Sequence, residues 1–265
     1  MFAETAATIV RDLPRGEAID IVSDLGEIFA VRAQCAWLGW PAEIEQELID
    51  WMAENYRAAV DPKLRADVAA AFDAIVAREV ARARAGSVTA ALTAEEIDGR
   101  RLGHAEVVSI LRNWTAGDLG SLARCVGVVV RRLAREPRLQ ARVRQIAGRD
   151  PVEFEAILAE CLRLEDPFPG NRRRATCPAS LPSGARVAED ETVVLDWAAA
   201  NTDPEAFGGS FDPAAHAEKN IVFGVGPHVC PGRELSYAEL SAVVTELLAG
   251  TADITPGEGG RVVLV

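Results

Sequence analysis

Phe223-Gly224-Val225-Gly226-Pro227-His228-Val229-Cys230-Pro231-Gly232 is the stretch on which the reading of this chain turns. Gly224 and Gly226 have no Cβ, so the backbone can turn tightly there and come close to a flat ligand. Gly232 loosens the chain just past the cysteine. From Arg233 onward Leu235, Leu240, Val243, Val244 and Leu247 recur at helical spacing. Cys230 therefore stands just before a helix N-terminus, where the macrodipole and unpaired N–H groups favour thiolate over thiol. A thiolate in a glycine-built loop is a suitable axial ligand for haem iron. An isolated cysteine is more often a small buried hydrophobe. Phe, Gly, His, Cys and Gly at these offsets, however, arise by chance in a chain this long with odds on the order of 10⁻⁵.

Composition bounds the rest. A chain of 265 residues, 49% of them hydrophobic, can bury a sizeable core and is globular rather than disordered. The formal charge of −12 argues against a nucleic-acid partner and against a basic membrane-surface patch. The five cysteines, Cys35, Cys125, Cys161, Cys177 and Cys230, fit neither a disulfide framework nor a CxxC zinc site. They point to a reduced, cytoplasmic setting. The first residues show no basic segment followed by an apolar core, so no signal peptide is expected, and no stretch has the apolar length of a membrane span.

Residues 1 to about 85 read as helical. Ile9, Leu13, Ile19, Ile21, Val22, Leu25, Phe29 and Val31 recur at helix-like intervals. Gly39-Trp40-Pro41 interrupts them, and Pro41 suits a first helical turn. Ile44, Leu48, Trp51, Met52 and Tyr56 form the next stripe, read as core packing. Asp61-Pro62 is expected to open a further helix carrying Leu64, Val68, Phe72, Ile75, Val76 and Val80. Residues 86–102 read as a connection, followed by a long helix from about His104 to Arg135. The middle of that helix, Thr115-Ala116-Gly117-Asp118-Leu119-Gly120-Ser121, contains two glycines, each costing roughly 1 kcal/mol relative to alanine. A kink, a tight contact or a ligand across the helix is expected there. Glu160 and Arg163 stand at i and i+3 on a helix around Pro151–Leu164 and can pair. Residues 171–197 read as short strands and turns, and Gly250–Val265 as a turn and a terminal strand pair.

The cysteine stretch resembles the cysteine-ligand loop of the cytochrome P450 family, Phe-x-x-Gly-x-His-x-Cys-x-Gly, with every fixed position filled. Trp37-Leu38-Gly39-Trp40-Pro41 resembles the family's Leu-Leu-Gly-x-Pro helix end. Leu133-Ala134-Arg135-Glu136-Pro137 resembles its Leu-Ala-x-x-Pro helix end, and Glu160-Cys161-Leu162-Arg163 its Glu-x-x-Arg motif. The likeness runs from about Arg15 to the C-terminus. It implies a mainly α fold with a small β portion, a single domain over residues 1–265 that lacks the N-terminal part of the family fold. It also implies haem b, with Cys230 as iron ligand and Phe223, Gly224, His228, Gly232 and Arg173 around the group. His228 and Arg173 would contact its propionates. Glu160 and Arg163 would form a structural pair behind the cysteine loop. Ser210 and Ala215 stand where the family often has an arginine as third partner, and His216 is nearby but displaced.

The family's central helix carries an acid followed by an alcohol that deliver protons. Matching Ala116-Gly117 to the start of that pattern puts Leu119 and Gly120 on the two positions. Counting back from Pro137 puts Gly120 on the acid and Ser121 on the alcohol, and places Gly127 on a recurrent small position; this register needs no gap and is preferred. The usual acid is absent in both. Asp118, three residues before Ser121, either substitutes for it or caps a kink. The resemblance implies a haem-thiolate monooxygenase that inserts one oxygen atom from O2 into an apolar small molecule. Its electrons would come from NAD(P)H through a ferredoxin or flavin-type redox partner. The alternatives are a degenerate or fragmentary haem binder without that activity, and a peroxide-using haem enzyme suggested by the missing acid.

Overall fold

The computed structural model of this chain describes residues 1–61 and 63–265. They fall into two compact units, one of residues 1–147 with 232–265, the other of residues 148–231. In the first unit, α1 (Phe2–Asp12) buries Ala6, Ile9 and Val10. The helical reading then fails for a few residues. Pro14 and Gly16 end the run, Gly16 turns at φ 75°, and β1 (Ala18–Ile19) forms instead. Val22–Glu27 winds with π-helical bonds, the Gly26 N–H donating to Ile21 O at 3.0 Å, and leads directly into α2 (Ile28–Leu38). Gly39 at φ 77° ends α2. Pro41 lies ahead of a short 3₁₀ turn, Ala42–Ile44, rather than inside a helical turn. Next come α3 (Glu45–Val60) and α4 (Arg65–Ala81); Pro62, expected to open the latter, lies outside the described residues.

The connection expected over residues 86–102 is structured. Ser87 Oγ accepts from the Ala90 N–H at 3.0 Å and caps α5 (Val88–Ala94). Asp98 and Gly99, at φ 54° and 73°, then make a two-residue turn between β2 (Glu96–Ile97) and β3 (Arg100–Arg101). After it runs α6 (His104–Arg135), 32 residues without a break, followed by α7 (Pro137–Ile146).

The glycines of α6 divide by what they face. A Cβ on Gly127 would stand 2.5 Å from Val22, and a Cβ on Gly26 would stand 2.9 Å from the Ala123 backbone, so the π-helical segment lies directly against α6. A Cβ on Gly120 would stand 3.0 Å from the Tyr56 hydroxyl, while one on Gly117 would meet nothing within 4 Å. The expected mid-helix weakness is thus explained by close contact at Gly120, with the helix unbroken.

In the second unit, α8 (Pro151–Glu165) is capped by Asp150, whose carboxylate accepts the Glu153 N–H at 3.0 Å. Four strands follow: β4 (Gly170–Arg174), β5 (Ala179–Ser180), β6 (Arg186–Val187) and β7 (Thr192–Asp196). β4 pairs antiparallel with β7, and β5 with β6 around the turn at Gly184. Three short helices, α9 (Trp197–Asn201), α10 (Pro204–Phe207) and α11 (Pro213–His216), are each capped by an aspartate: Asp196, Asp203 and Asp212.

The chain then re-enters the first unit. α12 (Arg233–Ala249) buries Tyr237, Leu240, Val243, Val244 and Leu247. β8 (Ile254–Pro256) and β9 (Val262–Leu264) complete a sheet in the order β1-β9-β8, with Ala18 opposite Val263. Gln140 of α7 donates to Leu133 O at 3.1 Å and to Ile254 O at 2.8 Å. The helices carry the fold and the sheets are small, as the sequence predicts. Among the described residues, no helix is long and apolar enough to cross a membrane.

The two kinds of glycine predict opposite responses. Gly26→Ala must push backbone apart and should destabilise the chain by about 1–3 kcal/mol. Gly117→Ala, in open space on a helix, should stabilise it by up to about 1 kcal/mol. Thermal unfolding of the two variants checks this: the midpoint should fall for the first and hold or rise for the second.

Candidate functional site

The Cys230 N–H donates to Phe223 O at 2.8 Å and closes residues 223–230 into a loop. Gly224 and Gly226 turn it at φ 73° and 72°, values that favour glycine. A 3₁₀ turn, Gly226–His228, lies at its tip. Gly232 has an ordinary φ of −88°, so it is the N-cap of α12 rather than a loosened joint. Cys230 is half-buried, while Val225 and Val229 beside it are 61% and 44% exposed. These residues fit a haem: a single cysteine thiol, a backbone stripped of Cβ at its two turns, and exposed aliphatic side chains in the same loop. Among the described residues, no three His, Cys, Asp or Glu side chains gather as they would around a bare metal ion. Arg173 on β4 and His228 at the loop tip are both exposed, and Arg173 Nη1 donates to Arg172 O at 2.9 Å.

Behind this loop, in the same unit, lies a buried charge network. Glu160 and Arg163 are each 1% exposed. Arg163 Nε donates to Glu160 Oε2 and Arg163 Nη2 to Glu160 Oε1, both at 2.7 Å, while Arg163 Nη1 donates to Asn201 O. His216 takes the third place, with Nδ1 2.7 Å from Glu160 Oε1. A carboxylate only accepts, so Nδ1 carries the proton and donates; its 3.2 Å approach to Arg163 Nη2 is then a contact of two donors. The Asp212 N–H adds a bond to Glu160 Oε1 at 3.2 Å, and the Arg163 guanidinium stacks 4.3 Å over the Phe207 ring. Burial pushes the Glu160 carboxyl up, but the bonds from Arg163, His216 and the Asp212 N–H outweigh it and hold the group below its ordinary value. The network reaches the cysteine loop through asparagines. Asn201 Oδ1 accepts the Ile221 N–H at 3.0 Å, Asn220 Nδ2 donates to Ala159 O at 2.9 Å, and Asn220 Oδ1 accepts the Val222 N–H at 3.0 Å.

The first unit places Asp118 and Ser121 in different surroundings. Asp118 is buried on an unbroken helix, so it does not solvate a kink. Its Oδ2 accepts from Gln34 Nε2 at 2.7 Å, and its side chain is hydrogen-bonded to Glu239 of α12. Among the described residues, neither Glu239 oxygen has a donor to accept from. As a carboxylic acid, however, Glu239 can donate to Asp118. Burial pushes Asp118 up to about 6, and burial together with the Asp118 charge pushes Glu239 up to about 9. Ser121 instead lines a cavity of about 520 Å³ together with Gly120 and Tyr56. The Tyr56 hydroxyl, seated over Gly120, bonds to the Glu27 carboxylate. Gly120 is therefore covered by a tyrosine from α3.

Gln34 and Glu239 are absent from the sequence reading, and Tyr56 enters it only as core. A signal exists for the first two. Gln34 falls on the stripe of Ala30, Val31 and Leu38, and Glu239 beside Leu240 and Val243, so each is a polar residue on an apolar helix face. Nothing local pairs them with Asp118.

Residues 154–250 match the family model described as Cytochrome P450. The chain is 34% identical over 143 residues to Cytochrome P450 144 of Mycobacterium tuberculosis, an alignment covering 53% of this chain and 32% of that protein. It is 24% identical over 267 residues to Vitamin D(3) 25-hydroxylase of Pseudonocardia autotrophica, covering 97% of this chain and 64% of that one. Its fold is similar to that of the open cytochrome P450 Eryk from S. erythraea. The TM-score is 0.83 at 25% identity, covering 97% of this chain and 67% of the other. The chain thus spans from about a third to about two thirds of the length of these curated relatives.

The two acidic clusters predict opposite pH dependences. Glu160 titrates below its unfolded value in the folded chain, so its stabilisation is present above that value and is lost as pH falls through the folded one. Glu160→Ala strands Arg163 in the interior and should cost about 3–5 kcal/mol, giving insoluble protein. Asp118 and Glu239 titrate above their unfolded values, so stability is greatest at low pH and falls as pH rises toward about 6 and then about 9. Glu239→Gln keeps a donor for Asp118 and needs no proton. Urea unfolding at pH 5 and pH 8.5 should show this variant losing less stability with rising pH than the parent chain.

Proposed function

We propose that this chain, which matches the cytochrome P450 family model over residues 154–250 and shares that fold, is a haem-thiolate monooxygenase acting on an apolar small molecule. The observation that carries the proposal is the closed loop from Phe223 to Cys230, which ends on one half-buried cysteine and exposes Val225 and Val229. Bound haem b would supply the activation of O2, one oxygen atom entering the substrate and the other leaving as water.

The chain's own residues have separable tasks. Cys230 Sγ would ligate the iron. Phe223 and Gly224 shape the loop, and Gly232 starts the helix beyond it. Arg173 and His228, both exposed cations or hydrogen-bond donors, would take the propionates. Glu160, Arg163 and His216 hold the chain that enters the loop. Ser121 Oγ would hold a proton at the cavity, and Asp118, poised near neutrality by burial, would release and retake one at its carboxyl. Residues 1–265 would act as one domain, in the cytoplasm, with electrons from NAD(P)H through a ferredoxin or flavin-type partner.

A second reading, a peroxide-using haem enzyme, is favoured by one observation: Tyr56 covers Gly120, which has no side chain of its own to carry a proton. Comparing turnover with a reductase system against turnover with hydrogen peroxide separates the two.

The first test is spectroscopic. Purified chain loaded with haem b, reduced and exposed to carbon monoxide, should show the red-shifted Soret band of a thiolate adduct. Cys230→Ser should lose that band. Its persistence in the variant rules out Cys230 as ligand, and failure of the parent chain to retain haem leaves a non-catalytic fragment.

A further inference from the structure

The cavity lined by Ser121 has a chemistry of its own. It lies between α3, α4 and α6. One wall is apolar: Trp51 and Phe72 stack with ring centroids 3.9 Å apart, next to Met52 and Val68. The charged part of the lining is cationic. Arg65, Arg112 and Arg124 all line the cavity, and no aspartate or glutamate is among its described lining residues.

The arginines are not equivalent. Arg112 Nη1 is held by Asp73 at 3.1 and 3.2 Å, and Arg65 Nε donates to Ala58 O at 3.2 Å. Arg124 stands over the Tyr56 ring, 5.5 Å from its centroid. Glu27 acts on Arg124 electrostatically, but its hydrogen bond goes to the Tyr56 hydroxyl. Arg124 thus lines the cavity with no carboxylate among the described residues as its hydrogen-bond partner. The chain's charge of −12 repels anions at long range. At physiological salt that field is screened over about 8 Å, so the arginines inside the cavity decide what is held there.

We propose that this cavity binds an amphipathic carboxylic acid, its apolar body against Trp51 and Phe72 and its carboxylate on the Arg124 guanidinium. A guanidinium fork matches a carboxylate with two parallel hydrogen bonds, and an aromatic ring behind it keeps the fork oriented. A volume of about 520 Å³ suits one small molecule. The inference rests on the monooxygenase reading only in calling that molecule a substrate.

The test compares dodecanoate, dodecan-1-ol and dodecylamine as ligands of the full-length purified chain at pH 7.5, by tryptophan fluorescence and calorimetry, with and without haem. Dodecanoate should bind at least tenfold more tightly than the alcohol, and the amine more weakly than either. Arg124→Gln should bring acid and alcohol to within twofold of each other, while Arg124→Lys should keep part of the preference. Equal affinities in the parent chain, which need no variant to fold, overturn the proposal. So does an undiminished preference in Arg124→Gln. A chain that shows the thiolate spectrum without carboxylate preference refutes this inference alone. A chain that shows Arg124-dependent preference without the spectrum refutes the monooxygenase reading alone.

Discussion

A guanidinium taken out of water has to be matched where it sits, donor by donor, or it destabilises everything around it. Arg163 is 1% exposed, and the second unit is arranged around meeting that demand. Its counter-charge comes from its own helix, α8. The carbonyl it needs comes from Asn201 at the end of α9, and the donor that completes Glu160 comes from His216 on α11. Three elements are fixed by one side chain. The desolvation of such a pair consumes much of its attraction, so what the network secures is placement more than surplus stability. Placement passes onward. Asn201 and Asn220 bond the main chain at Ile221 and Val222, and the next residue, Phe223, accepts the bond that closes the cysteine loop.

In the first unit the governing constraint is steric. The π-helical segment and α6 approach until glycine is the only side chain that fits at Gly26 and Gly127. Tyr56 makes the same demand on Gly120. A longer side chain at Gly120 would press on the tyrosine hydroxyl, which is itself tied to Glu27. Carboxyl groups are still present nearby in the fold, but on α6 one turn away from Ser121 and on α12.

What could be read from the sequence follows how local each feature is. The C-terminal end of α6 was legible because its signal, Pro137, sits immediately past the last turn; at the other end the Glu106 carboxylate accepts the Gly103 N–H at 2.7 Å. The cysteine loop and the Glu160–Arg163 pair were legible for the same reason, being closed by residues a few positions apart. β1 was not, because two residues carry no periodicity and its partner is at the far end of the chain. The short hairpin at Asp98-Gly99 had its turn signal but strands too short to confirm it. The His216 contact was half visible: its nearness could be read, but the bond to Glu160 depends on how α11 is turned. Gln34 and Glu239 announce themselves as polar residues on apolar faces, yet only the packing of three helices says that they meet at Asp118.

That meeting point is expensive as a source of stability. Gln34 Oε1 and Thr115 Oγ1 are buried without a hydrogen-bond partner among the described residues, and Glu239 as a carboxylate would add two more such atoms. Each unmatched buried group costs about 1–3 kcal/mol. Protonation removes the worst of this. With one proton between them, Glu239 becomes a donor, Asp118 accepts from both Glu239 and Gln34, and the repulsion between two carboxylates disappears. Between about pH 6 and about pH 9 the pair therefore holds one proton and one charge, shared by Glu239 and Asp118. Asp118 sits at the lower edge of that range, where losing or gaining a proton needs little free energy. Apolar residues of the same shape would pack more stably but could hold no proton at all, and that is the physical difference the buried pair makes on a helix whose next turn bears Ser121.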